Sequence, residues 1–216
     1  MTSRFRKLVK ERLPFLIPPT RAALSFVRQQ QSRRTIRRLL NQGNEIKIEL
    51  GSGDKKGQEG WLTVDITKVC DIYWDLRKGL PFPNGTVSKI YSSHFFEHLS
   101  FAETRDFLQQ CRRALKPGGN FLICVPNAQI YLEAYVLHKQ LDTSRFYKPA
   151  YNQTTSIDYA NYMAYMAGEH KYMFDRENLL YILSASGLRN ARLRPFDPTL
   201  DMEERDFESI YAEAER

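Results

Sequence analysis

The sequence predicts an α/β fold in which helices cover a mainly parallel sheet, and three observations predict it. From residue 45 onward, short apolar runs alternate with stretches of helical periodicity, the order expected when each strand is followed by a crossover. Those runs end on Gly, Asp or Ser-His, placing polar groups at strand carboxyl ends, where open α/β sheets bind ligands. The 216 residues suffice for one full core, and 42% hydrophobic with 26% charged residues is an ordinary globular composition.

Residues 1–44 are expected to form a basic helical arm ahead of a domain over 45–216. The first 40 residues hold eleven Lys and Arg against one acid, Glu11, whereas the rest carries 21 bases and 24 acids, so the +7 net charge belongs to the arm. Thr20 offers a cap for a helix from Arg21 to about Leu40, with Leu24, Val27, Ile36 and Leu39-Leu40 at helical spacing. Such a helix docks by its apolar stripe, lies on an anionic membrane surface or contacts nucleic acid. No stretch approaches the ~18 apolar residues of a membrane span. The run Leu13–Pro19 is too short and proline-rich for a secretory signal, so a cytoplasmic chain is expected. Cys70, Cys111 and Cys124 lack zinc or redox spacing and read as buried hydrophobes.

Strands are predicted at 46–50, 61–66, 69–73 and 87–92. Ser100-Phe101-Ala102-Glu103 is a capping box opening a helix to about Leu115, which Pro117-Gly118-Gly119 should stop. A strand over 121–125 ends at Pro126, Asp175 caps a helix through Ser186, and 189–196 with 207–214 form a closing strand pair. Segment 127–174 is too long for an ordinary connection and holds eight of the twelve tyrosines. It reads either as a lid over an acceptor or as a helical insertion packed on the sheet edge.

The stretch Glu49-Leu50-Gly51-Ser52-Gly53-Asp54 places glycines directly after a buried strand, where a ligand can approach backbone N–H groups. No Gly-Lys-Ser/Thr follows, so it is not a phosphate-cradling loop, and Lys56 stands where a dinucleotide fingerprint needs its last glycine. Asp65 follows Gly53 by twelve residues rather than the ~20 of NAD enzymes. Asp65, Asp75 and Ser92-Ser93-His94 fall at successive strand ends, with carboxylates able to accept ribose hydroxyls and an adenine amino group. Together they describe a nucleoside site without a phosphate cradle.

The combination of Glu49-Leu50-Gly51-Ser52-Gly53, Gly60-Trp61, Ser92-Ser93-His94-Phe95-Phe96-Glu97-His98 and Leu115-Lys116-Pro117-Gly118-Gly119 resembles the class I S-adenosylmethionine-dependent methyltransferases, in their small bacterial, type 11-like branch. The resemblance runs from about Ile46 to Pro126. It implies a Rossmann-like three-layer sandwich with a mainly parallel seven-stranded sheet and an antiparallel last strand. It implies S-adenosylmethionine as cofactor, with Gly51, Ser52 and Gly53 along its methionine part and Glu49 supporting the amino group. Asp65 would hold the ribose, Ile66 would belong to the same cofactor-binding set, Asp75 and Leu76 would border the adenine, and Ser92, Ser93 and His94 would lie beside the methyl donor. This sequence departs from the family loop at Lys55, which replaces a third glycine, and in a first crossover, 54–60, too short for a full helix.

Methyl transfer needs chiefly alignment. A hydroxyl acceptor also needs a base, for which His94 is the first candidate and His170 the second, each with a structural hydrogen-bonding role as its alternative. His94-Phe95-Phe96-Glu97-His98 also matches H-x-x-E-H, a zinc-peptidase pattern, but a strand immediately before it and a capping box soon after leave no helix to carry it, so no metal is expected. The expected activity is methylation of an oxygen or nitrogen of a small or glycosylated metabolite, in surface-polysaccharide synthesis by family inference. The alternatives are an RNA methyltransferase using the arm and a catalytically inactive binding module.

Overall fold

The computed structural model describes residues 21–55 and 57–216; the Thr20 cap, the arm before it and Lys56 lie outside the described residues. Seven strands, β1 (Lys47–Leu50), β2 (Leu62–Asp65), β3 (Ile72–Tyr73), β4 (Val87–Ser93), β5 (Leu115–Pro126), β6 (Arg189–Leu193) and β7 (Ser209–Glu215), form one sheet in the order β3-β2-β1-β4-β5-β7-β6. The pairs β3·β2, β2·β1, β1·β4 and β4·β5 are parallel, and β7 runs antiparallel to both β5 and β6. The order reverses between β1 and β4, and the strand ends flanking that switch point carry the glycine loop and the Ser-Ser-His segment.

Central parallel strands are covered on both faces, so their residues read as continuous apolar runs. Accordingly Ile48, Leu50, Val64, Ile72, Ile90, Phe121, Ile123 and Val125 are all buried in the main core. Helix α1 (Arg21–Gln42) lies against β3, and α2 (Phe101–Ala114) opens on the complete Ser100–Glu103 capping box. The insertion contains α3 (Ala128–Val136) and α4 (Ile157–Tyr165), and α5 (Arg176–Ala185) starts at the Asp175 cap and packs on β6 and β7. No described helix is long and apolar enough to cross a membrane.

One connection differs from the sequence reading. Pro117-Gly118-Gly119 does not separate helix from strand; β5 begins at Leu115, where α2 ends, and those residues form an irregularity between the pairs Val87↔Leu115 and Lys89↔Asn120. Gly119 is required there by close approach, since a Cβ would stand 2.9 Å from the Ser88 carbonyl oxygen. The first crossover holds no helix among its described residues.

The arm's helix is built into the sheet edge by its second half. Ile36 is buried in the main core with Leu39 and Leu40 packed beside it, whereas Leu24 and Val27, expected on the same stripe, are exposed. An edge strand leaves N–H groups unpaired. Here the Tyr73 N–H donates to the buried Ser32 hydroxyl at 2.8 Å, and the Arg28 guanidinium stacks 4.5 Å over the Tyr73 ring.

Behind β4, β5 and β7 a second cluster of Tyr91, Cys124, Leu200 and Tyr211 encloses an ion pair. Asp201, fully buried, accepts from Arg194 Nη1 at 2.6 Å and Nη2 at 2.7 Å, from the Tyr91 hydroxyl at 3.0 Å and from the Asp197 N–H at 2.8 Å.

Candidate functional site

A cavity of about 680 Å³ opens at the carboxyl ends of β1, β2 and β4. Of the residues expected to hold a cofactor, Gly51, Ser52, Gly53, Asp65, Ile66, Asp75, Leu76 and Ser93 line it, and so does His94. Glu49 and Ser92 do not. Glu49 is buried beneath the loop with Lys55 Nζ on its Oε1 at 2.9 Å, and the Ser92 hydroxyl donates to the Leu50 carbonyl at 3.3 Å. Glu49 therefore already supports an ammonium group, that of Lys55, the residue that departs from the family loop.

The loop is shaped by β2. Gly53 donates its N–H to Asp65 Oδ2 at 2.9 Å, while Oδ1 accepts from both the Ile66 and Thr67 N–H groups, so Oδ2 is the oxygen that keeps a lone pair for a ligand hydroxyl. Gly51 has φ +68° and no room for a side chain, since a Cβ would lie 2.5 Å from Phe95 Cδ2. Ser52 Oγ is buried with no hydrogen-bond partner, an orphaned polar atom in a loop facing the cavity. These features fit a nucleoside ligand held by backbone and ribose contacts.

Asp75 lines the cavity and is already paired. Its carboxylate caps a short 3₁₀ turn and pairs bidentately with Arg77, Nε on Oδ1 at 2.8 Å and Nη2 on Oδ2 at 2.9 Å, and this pairing holds the carboxyl below the usual carboxylate range. It borders the cavity as half of an ion pair rather than as a free acceptor. Trp74, Phe95 and Leu99 add apolar wall that the sequence reading missed, although Trp74 and Phe95 adjoin motif residues. Met202 and Arg205 arrive from the connection before β7 with no local signal.

His94 sits in a left-handed conformation, φ 50°, costly for a residue bearing a Cβ and typical of functional turns. Its Nε2 lies 2.9 Å from Ser209 Oγ, and that hydroxyl donates to the Arg205 carbonyl at 2.6 Å, so the ring N–H is on Nε2. Nδ1 faces Glu97 Oε1 at 3.5 Å. Burial holds the imidazole well below the usual histidine range. Both nitrogens are thus turned to protein groups, which corrects the expectation of a base directed at an acceptor. His170 does not line the cavity; it is buried, with Nδ1 donating to the Met163 carbonyl at 2.7 Å.

The backbone brings His170 to the motif segment, because the Lys171 and Tyr172 N–H groups both donate to the Glu97 carbonyl, at 2.8 and 3.2 Å. His98 and His170 then pack edge to face with ring centroids 5.2 Å apart. Burial pushes the Glu97 carboxyl up to about 8. The motif is not carried on a helix as the peptidase pattern requires: Phe96–His98 is a 3₁₀ turn, and His94 stands before it in a left-handed conformation.

None of the eight insertion tyrosines lines the cavity. Tyr131, Tyr159 and Tyr162 are buried with Phe146 and Met163 in a cluster of their own, Phe146 and Tyr162 stacking at 4.6 Å. The insertion reaches the cavity through Glu169 and Lys171 instead.

Comparison with known proteins agrees with this architecture. The family model described as a methyltransferase domain matches residues 28–193. No curated protein matches the sequence significantly. Among solved structures, phosphoethanolamine N-methyltransferase 2 of Haemonchus contortus, in complex with S-adenosyl-L-methionine, is similar with TM-score 0.52 and 12% identity, over 86% of this chain and 52% of that one. A SAM-dependent methyltransferase of Archaeoglobus fulgidus matches with TM-score 0.49 and 16% identity, over 87% of this chain and 94% of that one. With the family match spanning most of the described residues and the cavity lying at the switch point of a seven-stranded sheet with an antiparallel last strand, the chain belongs to the methyltransferase-domain family.

Proposed function

We propose that the chain transfers the methyl group of S-adenosylmethionine to an oxygen or nitrogen of a small or glycosylated metabolite in the cytoplasm. The observation that carries this reading is the Gly51–Gly53 loop tied to Asp65 at the mouth of the cavity. When bound, the cofactor supplies an electrophilic methyl carbon on a sulfonium sulfur, so the protein's task is placement. The loop N–H groups and Ser52 Oγ would hold the methionine part, with Lys55 offering its charge to the carboxylate. Asp65 would accept the ribose hydroxyls. Trp74, Leu76 and Phe95 would enclose the adenine and exclude water from it. His94, fastened between Ser209 and Glu97, acts as a positioning residue for the wall beside the methyl group.

Asp65→Ala is expected to weaken binding of S-adenosylhomocysteine by about 1–3 kcal/mol, through loss of a charged acceptor and of the loop's tether. Isothermal titration of both proteins measures it. Equal affinities would remove Asp65 from the ribose contact.

A peripheral role for α1 has its own support. Leu24, Phe26 and Val27 are exposed on a helix that also exposes Arg34, Arg37 and Arg38. That combination suits the boundary of an anionic bilayer. Cosedimentation of the full chain with vesicles containing phosphatidylserine should exceed that with neutral vesicles and fall as salt is raised; no dependence on lipid charge would leave α1 as a sheet-edge cover alone.

A further inference from the structure

We propose that Glu97, His98 and His170 form a binding site for a first-row divalent cation, with one carboxylate oxygen and two imidazole nitrogens as protein ligands. One ligand atom from each residue lies within 4.8 Å of the others. Glu97 is 2% exposed, and its Oε2 has no hydrogen-bond partner. The other oxygen, Oε1, is the one that faces His94, so Oε2 is left for a different occupant.

The two imidazoles are prepared as metal ligands commonly are, each giving its second ring N–H to a backbone carbonyl. His98 Nδ1 donates to the Glu169 carbonyl at 2.9 Å and His170 Nδ1 to the Met163 carbonyl at 2.7 Å. These bonds fix both tautomers and leave each Nε2 with its lone pair, unpartnered among the described residues. Two bare imidazole nitrogens and one Glu97 oxygen thus converge as three ligand atoms, and a cation bound there takes the place of the carboxyl proton. Two nitrogens and one oxygen suit Zn²⁺, Fe²⁺, Co²⁺ or Mn²⁺ better than Mg²⁺ or Ca²⁺, which prefer all-oxygen shells.

The site is connected to the chemistry. His98 lines the cofactor cavity beside His94, Glu169 and Lys171, so a cation held by it borders that cavity, and a site with three protein ligands keeps a position for a further ligand. A cation there would hold an acceptor through a hydroxyl oxygen and lower that oxygen's proton affinity. The hydroxyl proton passes to solvent, the oxygen bonds to the methyl carbon, and the carbon–sulfur bond breaks with its electron pair remaining on sulfur to give S-adenosylhomocysteine. The substrate class is then a hydroxyl-bearing metabolite, and the base that His94 does not supply is unnecessary. This role in transfer rests on the methyltransferase reading; the cation site itself rests only on the geometry.

The test uses the full chain stripped with chelator and titrated separately with ZnCl₂ and with CoCl₂, by calorimetry and, for cobalt, by its visible absorption. One ion per chain is expected, with affinity falling at least tenfold in Glu97→Gln, His98→Ala and His170→Ala and unchanged in His138→Ala, which removes an exposed histidine elsewhere. Absence of stoichiometric uptake by the folded wild-type chain, or uptake that the three variants leave intact, overturns the site. Titration of the same samples with S-adenosylhomocysteine separates the two proposals and reports whether each variant is folded. Nucleoside binding without metal uptake removes the cation site alone, and metal uptake without nucleoside binding removes the methyl-donor reading alone.

Discussion

Asp201→Ala should lower the unfolding free energy by about 3–5 kcal/mol, the cost of leaving a buried charge without its partner. Arg194 keeps only 7% of its side chain exposed and directs two nitrogens at the Asp201 carboxylate, which also accepts from Tyr91 and from the Asp197 N–H. Removal of the carboxylate strands a guanidinium, a phenol and a backbone donor together beneath β4, β5 and β7. Replacing both ion-pair partners, as in Arg194→Met with Asp201→Leu, removes the stranded charge and should recover much of the loss. Urea unfolding of the single and double variants checks both statements. A single variant within 1 kcal/mol of wild type would mean that solvent reaches Arg194 and that the pair is peripheral to stability.

Gly51→Ala is expected to cost about 2–5 kcal/mol, combining ~1–2 for a left-handed residue that gains a Cβ with ~1–3 for overpacking. The added carbon would fall within 2.5–2.7 Å of three Phe95 side-chain atoms. Phe95 has little freedom to retreat, because its ring is wedged edge-on against Phe96 and Phe107 at 5.7 and 5.6 Å. Nucleoside affinity should fall with stability, since Phe95 and the loop share the cavity wall. Adding Phe95→Leu to Gly51→Ala should restore the packing part but not the backbone part. Full recovery in the double variant would show that φ +68° carries no cost here, and no recovery would place the strain outside the ring.

Much of this architecture was legible because its signals are local. The Ser100–Glu103 box and the Asp175 cap act within one helical turn, and both helices begin where those residues place them. The loop glycines and Asp65 were readable because strand carboxyl ends dictate where an α/β sheet meets its ligand. The helix ends at Ala114, within a residue of the expected bound, but the strand start was missed, because Pro117-Gly118-Gly119 reads as a loop and here forms an irregularity inside a strand held by β4. Asp75 lines the cavity, and what had no signal was its pairing with Arg77 two residues away. The fastening of His94 to Ser209 and the approach of His170 to Glu97 had no such signal. They depend on a contact spanning 115 residues and on a backbone pairing between the end of the insertion and the motif segment at Glu97.

The insertion's aromatic cluster is a core apart from that of the sheet, joined to it through the Tyr131–Glu208 hydrogen bond, the Arg145–Phe207 stacking and the backbone pairs near Asn127 and Glu97. A segment with its own apolar centre is a cooperative unit that opens at a free energy below that of global unfolding. His170 leaves with that unit, whereas Asp65 and the glycine loop stay with the sheet. The glycine loop and the insertion's His170 therefore belong to different packing units, and gradual warming or denaturant is expected to open the insertion while the loop still stands.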